Sequence, residues 1–339
     1  MRWVRRAALA LLVRGLLVLG LLAPIAAPGA TLYLAPAGSD HADGRTPQAP
    51  LATLAAAVAR AQQAPAGEDT RVVVLPGLYR GQSVNLDGRR LHGRLTVTGS
   101  GSDPAAYPTF MGDGSGTWLR YRGAEGRDTG LTLRALHIAR YATAITLNGN
   151  RNDPTAFNRG TVLENLVLEQ IGSDTTNGAA ASTAAIRLVN AQDTVVRGVF
   201  FHTIRNAPRA KCGGLHAIYL ASHATGARIE NNTFQDFCGS AIKLRDASGR
   251  ATITGNHFRN ADAAPAIEEW FCDMARTDEC TKAGGQCPST GIVVTGNDFG
   301  NLPTDRRVIV RGSRVPRPWC PPGSATAPRF LLDHGRTLP

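Results

Sequence analysis

The sequence predicts an all-β fold built as a parallel β-solenoid. Two repeats and a compositional bias predict it. The first repeat reads AITL at 144–147, AIRL at 185–188, AIYL at 217–220 and AIKL at 241–244, with a degenerate copy, AIEE, at 266–269. The second reads IENNTF at 229–234, ITGNHF at 253–258 and VTGNDF at 294–299. Its weaker copies are LRALHI at 133–138, LENLVL at 163–168 and VRGVFF at 196–201. The chain is poor in aromatics and rich in Gly, which suits a repetitive β fold better than a sandwich around a bulky core.

The fourth residue of each second-repeat copy marks a period. The intervals are 30, 33, 33, 24 and 41 residues. The shortest approximates one bare coil, and the longer ones carry loops. Asn232, Asn256 and Asn297 then stack at one corner, where Asn tolerates a left-handed backbone and its amide reaches the next copy. Phe234, Phe258 and Phe299, two residues on, point inward and stack as well. Two strand families per coil with a fixed corner make a solenoid.

In the first repeat, two apolar positions face in and the residue between them faces out. Stacking places Thr146, Arg187, Tyr219, Lys243 and Glu268 in one outward column. Successive coils lie about 4.8 Å apart, so Arg187, Tyr219 and Lys243 span about 10 Å. Arg245 points the same way two residues beyond Lys243. His216 is expected at the entrance turn of the Tyr219 strand. Glu268, with Glu269 beside it, occupies the next coil.

Upstream, LYLAP at 32–36 reads as a first strand and LATLAAAVARAQ, about 51–63, as an Ala-rich helix covering the open end of the solenoid. RVVVLPGLYRG at 71–81 returns to strand. Asp40, Asp43 and Asp69 read as loop caps, with calcium coordination as their alternative. The main domain is expected over 31–312, with a Cys-rich insertion at about 262–290 and a Pro-rich tail at 313–339.

Residues 1–30 read as a cleaved export signal, with an uncleaved membrane anchor as the alternative: Arg2, Arg5 and Arg6 precede an apolar run broken by Arg14. No later segment is long enough to span a membrane. Removing the leader with its four arginines takes the formal charge from +11 to +7. An exported basic monomer, secreted or periplasmic, is expected to meet an acidic polymer such as a polyuronate. No nucleic-acid motif is present. Six cysteines in an exported chain favour disulfides. Stacking brings Cys212 near Cys238, and one of Cys272, Cys280 and Cys287 ties the insertion to Cys320. The C-x7-C-x6-C run lacks the short spacing of a structural zinc site.

The opening strand, the loop GSDHADGRTP at 38–47, the stretch PLATLAAAVARA at 50–61 and VVVLPGLYRG at 72–81 resemble the N-terminal cap of right-handed parallel β-helix proteins of the pectate lyase-like superfamily. The NNTF and GNxF copies resemble that superfamily's coil repeat, and the resemblance spans about 32–310. It implies a right-handed parallel β-helix with an N-terminal capping α-helix. It also implies a polysaccharide lyase-like activity using Lys, Arg, Tyr or His on one face, often with calcium. The R-x-P-x-x-R, E-x-x-x-x-K-S and D-P-H-D stretches of particular subclasses are absent, so the subclass is unmatched.

The column suits β-elimination from a uronic-acid polysaccharide. Arg187 or Arg245 can neutralise the uronate carboxylate with a two-pronged contact. Lys243, Tyr219 or His216 can take the C5 proton, and Tyr219 can protonate the departing oxygen. Neighbouring arginines lower the Lys243 pKa and supply free amine. Arg187, Arg245 and Glu268 are expected to bind substrate. No cofactor is demanded by these residues beyond the calcium the resemblance allows. A hydrolase needs paired carboxylates on that face. A uronate C5-epimerase shares the proton abstraction, and a non-catalytic binder of acidic exopolysaccharide needs only the charge.

Overall fold

The computed structural model describes residues 29–123, 126–262, 264–271, 286–311, 320, 323 and 326–338. Nearly all of the expected leader, together with Cys272, Cys280 and the middle of the insertion, lies outside them. Among the described residues the strands form three long sheets of eleven, seven and eight strands, here sheets A, B and C, and a short three-stranded one. The chain visits the long sheets in rotation. Leu95–Gly99 lies in A, Thr109–Met111 in B and Thr117–Arg122 in C, and Leu131–Arg134 then returns to A. Each strand pairs in parallel with its counterpart one coil away; among the described residues the one antiparallel pair is Phe330–Leu332 with Thr337–Leu338. This is a parallel β-helix.

The register follows the repeats. Leu133, Leu163, Val196, Ile229, Ile253 and Val294 pair in sequence along sheet A, all buried. The inward phenylalanines stack face to face, with centroids 4.7 Å apart for Phe201–Phe234, 5.0 Å for Phe234–Phe258 and 5.2 Å for Phe258–Phe299. Asn232 donates to the Asn256 side-chain oxygen at 2.9 Å, and Asn256 to that of Asn297 at 2.9 Å. The left-handed backbone falls one residue earlier than expected. Asn231, Gly255 and Gly296 adopt φ of 54°, 66° and 62°, as do Ala135, Asn165 and Gly198 at the matching corners. The corner therefore divides its work. One residue turns the chain, and the next sends its amide into the buried ladder, where unpaired polar groups would be costly.

The helix is shorter than expected, at Leu54–Ala61. The Asp40 carboxylate accepts from the Ala52 and Thr53 amides at 3.0 and 2.9 Å, holding them extended. Thr53 then caps the helix by accepting from the Ala56 amide. The helix buries Leu54, Ala57, Val58 and Ala61 and packs against the strands Ala30–Leu34 and Val84–Asp87, which end sheets A and C. The single strand expected over 71–81 is two, Thr70–Val74 in sheet A and Leu78–Arg80 in sheet B. Pro76 and Gly77, the latter at φ 144°, turn the corner between them.

Cys212 pairs with Cys238, and Cys287 with Cys320. The second bond ties the insertion to the tail, and the tail's Phe330–Leu332 adds a further strand to sheet A beyond residue 312. Among the described residues no helix is long and apolar enough to cross a membrane.

Candidate functional site on the outer face of sheet C

The AIxL copies become successive strands of sheet C. Register places Thr146 beside Arg187, Arg187 beside Tyr219, Tyr219 beside Lys243 and Lys243 beside Glu268. The flanking Ile186 and Leu188, Ile218 and Leu220, and Ile242 and Leu244 are fully buried, which fixes the residue between them outward. Arg120 extends the column below Thr146. Arg187, Tyr219, Lys243 and Arg245 keep partial exposure, whereas Thr146 and Glu268 are buried, each only 6% exposed.

Lys243 sits in the tightest part of this face. Its Nζ lies 3.2 Å from Glu268 Oε1 and 5.2 Å from the Trp270 ring centroid. Burial lowers its pKa below the usual lysine range, and Arg245 and Arg311 push the same way, while Glu268 opposes them. The Arg contribution expected from sequence is therefore present but second to burial. Arg311 Nε lies 3.1 Å from the same Glu268 oxygen, and Ser240 donates its hydroxyl to the other. Burial alone would raise the Glu268 pKa; Lys243, Ser240 and Arg311 outweigh it and hold the carboxyl below its ordinary value. Glu268, expected to bind substrate, has its carboxylate occupied by these three groups.

Arg245 lies with its guanidinium 4.1 Å above the Trp270 ring, donates to Gln286 at 2.7 Å and approaches the Tyr219 hydroxyl at 3.5 Å. The Tyr219 phenol thus lies beside Arg245 and in register with Arg187 on one side and Lys243 on the other. Arg187 is different in kind. Its Nε is enclosed with no hydrogen-bond partner. Burial, Arg151 and Arg120 all lower its pKa.

His216 does not sit in a turn. It opens the strand His216–Ala221 and is buried, with Nδ1 3.1 Å from the Ser240 carbonyl. A carbonyl only accepts, so Nδ1 carries the proton and Nε2 the lone pair. Burial, reinforced by Lys243, holds the ring well below the ordinary histidine pKa, so it is neutral at pH 7. Its ring lies 5.6 Å from that of Tyr219. Glu269 lies inside the coil rather than on the face. It is fully buried, accepts from the Ser289 amide at 2.8 Å and pairs with Arg329, and burial pushes its carboxyl up to about 7.

Sequence reasoning missed Arg120, Ser240, Trp270 and Arg311. Trp270 was within reach, because alternation from Glu268 puts it on the outer face. Ser240 immediately precedes AIKL. Arg120 and Arg311 lie in strands without the Ala-Ile opening, so the repeat did not mark them. Among the described residues no group of three or more His, Cys, Asp or Glu side chains could hold a metal ion. Asp40, Asp43 and Asp69 accept from the backbone amides of Ala52 and Thr53, Arg45, and Arg94 respectively, as loop caps do.

No protein-family profile and no curated protein sequence matches the chain. Solved structures do. A pectate lyase, Pel9A, is 11% identical with a TM-score of 0.47, over 84% of this chain and 68% of its own. A rhamnogalacturonan lyase is 13% identical with a TM-score of 0.38, over 84% and 66%. The A-module of the mannuronan C-5 epimerase AlgE6 of Azotobacter vinelandii is 12% identical with a TM-score of 0.30, over 72% and 81%. The likeness is one of fold.

Proposed function

We propose that this chain is an exported, monomeric enzyme that cleaves a uronic-acid-containing polysaccharide by β-elimination on the outer face of sheet C. The observation that carries this reading is the unbalanced charge of the column. Arg120, Arg187 and Arg245 have no carboxylate within ion-pair reach among the described residues, and Lys243 and Arg311 share one, Glu268. Adjacent like charges cost stability unless an anion joins them. In this reading the fold is right-handed and the helix Leu54–Ala61 is its N-terminal cap.

Arg187 and Arg245 flank Tyr219 and take the uronate carboxylate, drawing charge from C5 so that its proton becomes acidic. Lys243, its pKa lowered by burial, takes that proton as free amine. The C4–O4 bond then breaks, a C4–C5 double bond forms, and the Tyr219 hydroxyl protonates the departing oxygen. His216, buried and neutral, orients this pair from below. The Lys243–Glu268 ion pair favours one other reading, in which the lysine stays charged and the face binds an acidic exopolysaccharide without reacting. A C5-epimerase would differ only in returning the proton to the opposite face of C5.

Ultraviolet absorbance during incubation with alginate, pectate, glucuronan and glycosaminoglycans, each with calcium and with chelator, tests the proposal. Unsaturated ends that accumulate on one polymer support elimination. Tight binding without absorbance supports the binding reading.

A further inference from the structure

The lower half of the column extends beyond the reacting centre and shares only Arg187 with it. Arg120 and Arg187 flank Thr146 in register, so their backbones lie two coils, about 10 Å, apart. Thr146 faces outward yet is nearly covered, so longer neighbours close over it. Arg151, in the loop after the Thr146 strand, is near enough to act electrostatically on Arg187. Arg120 donates only a 3.5 Å contact to Thr117. No carboxylate lies within 4 Å of any of the three among the described residues, and Arg187 Nε is enclosed and unpartnered. On sheet A, by contrast, the outward Arg134 and Arg197 stand on either side of Glu164. Two guanidiniums in register on either side of one short side chain, one of them with an orphaned buried donor, and a third cation close enough to act on it, suit an oxyanion.

We propose that Arg120, Arg151 and Arg187 form a second anion subsite, below the Tyr219–Lys243 pair and sharing Arg187 with it, that seats a further acidic group of the glycan, a carboxylate or a sulfate. The subsite rests on the reading that this face binds an acidic glycan. It makes the face select a polymer over a single sugar, because one acidic group occupies the subsite while another lies beside Tyr219. Thr146 sets the room between the arginines, and their planar forks favour a flat or tetrahedral oxyanion over a diffuse charge.

Calorimetric titration of the full protein with uronate disaccharides and hexasaccharides, and with sulfated oligosaccharides of the same lengths, tests this. The hexasaccharide of the preferred chemistry is expected to bind at least about tenfold more tightly than the disaccharide, and Arg120→Gln with Arg151→Gln to erase that advantage. Disaccharide binding is expected to stay unchanged. The double variant is expected to melt at or above the wild-type temperature, because like charges are removed. If it melts lower, Arg120→Lys decides: with the fold intact, loss of the hexasaccharide advantage supports the subsite, and its full retention overturns a subsite built on guanidinium forks. Equal hexasaccharide binding by the wild type and the double variant would overturn the subsite. Preference for sulfated oligomers keeps the subsite and sinks the uronate lyase. Length-dependent uronate binding without any unsaturated product keeps the subsite and sinks elimination alone.

Discussion

The outer face of sheet A and the outer face of sheet C are built by the same coils, yet their charges are arranged in opposite ways. On sheet A, Arg134, Glu164, Arg197 and Glu230 stand in register, positive against negative. Arg197 lies 2.7 Å from Glu164 and Arg134 3.8 Å from it. Sheet B repeats the pattern with histidines: His137 and His202 lie 3.0 and 3.2 Å from the two oxygens of Glu169, and Asp236 lies 3.5 Å beyond His202. On sheet C the order is Arg120, Thr146, Arg187, Tyr219 and Lys243, and Glu268 closes only the top. Satisfying a solenoid's surface needs only the first arrangement. The second leaves electrostatic work undone, which a substrate can complete.

Changing the centre of sheet C should have the largest effect. Lys243→Ala is expected to cut turnover by about a hundredfold to ten-thousandfold while leaving most of the glycan affinity, measured by initial rates and calorimetry. A fall in affinity alone, with turnover of bound substrate intact, would return Lys243 to a binding role.

Next comes a substitution that makes sheet C resemble sheet A. Arg187→Glu gives Arg120 and Arg151 an acidic neighbour. It is expected to weaken polyuronate binding by about a hundredfold, while the melting temperature holds or rises. Weaker binding accompanied by a lower melting temperature would mean that Arg187 is structural and the contrast between the faces is false.

The acid at the top of the column sharpens the contrast through pH. Burial sets the folded Lys243 pKa below the unfolded value of 10.5, so the folded state releases this proton first. Stability from this group therefore rises as pH climbs from the folded pKa toward 10.5, and a base-dependent rate rises over the folded pKa. Glu268 holds that pKa up. Glu268→Gln is expected to move the rising limb of the pH–rate profile to lower pH, whereas an unmoved limb would show that Lys243 does not set it.

The smallest effect belongs to sheet A. Arg197, about half exposed, is expected to cost under about 1 kcal/mol in Arg197→Ala by chemical denaturation, with no change in glycan binding.

Much of this was legible in the sequence, because a solenoid repeats its reasons. Each AIxL copy marks two buried positions and the outward one between them, so the register of Thr146 through Glu268 could be counted before any coordinates. The Asn and Phe ladders were visible for the same cause. What the repeat does not encode was lost. The left-handed residue sits one position before the stacked Asn, because the buried amide and the turning backbone are separate demands. Burial of His216 comes with its contact to the Ser240 carbonyl in the next coil, and the occupation of Glu268 depends on Ser240, just ahead of the repeat, and on Arg311, forty-three positions later. Arg120 lies in a strand without the motif, so the anion subsite around Thr146 had no sequence signal.

The most direct test is a paired charge reversal read by ultraviolet absorbance on the polymer from which the proposed elimination yields unsaturated ends in the wild type. Arg187→Glu on sheet C is expected to abolish the accumulation of unsaturated ends, and Arg197→Glu on sheet A to leave it at the wild-type rate. Equal activity in both variants, or loss in Arg197→Glu alone, would contradict the assignment of function to the outer face of sheet C.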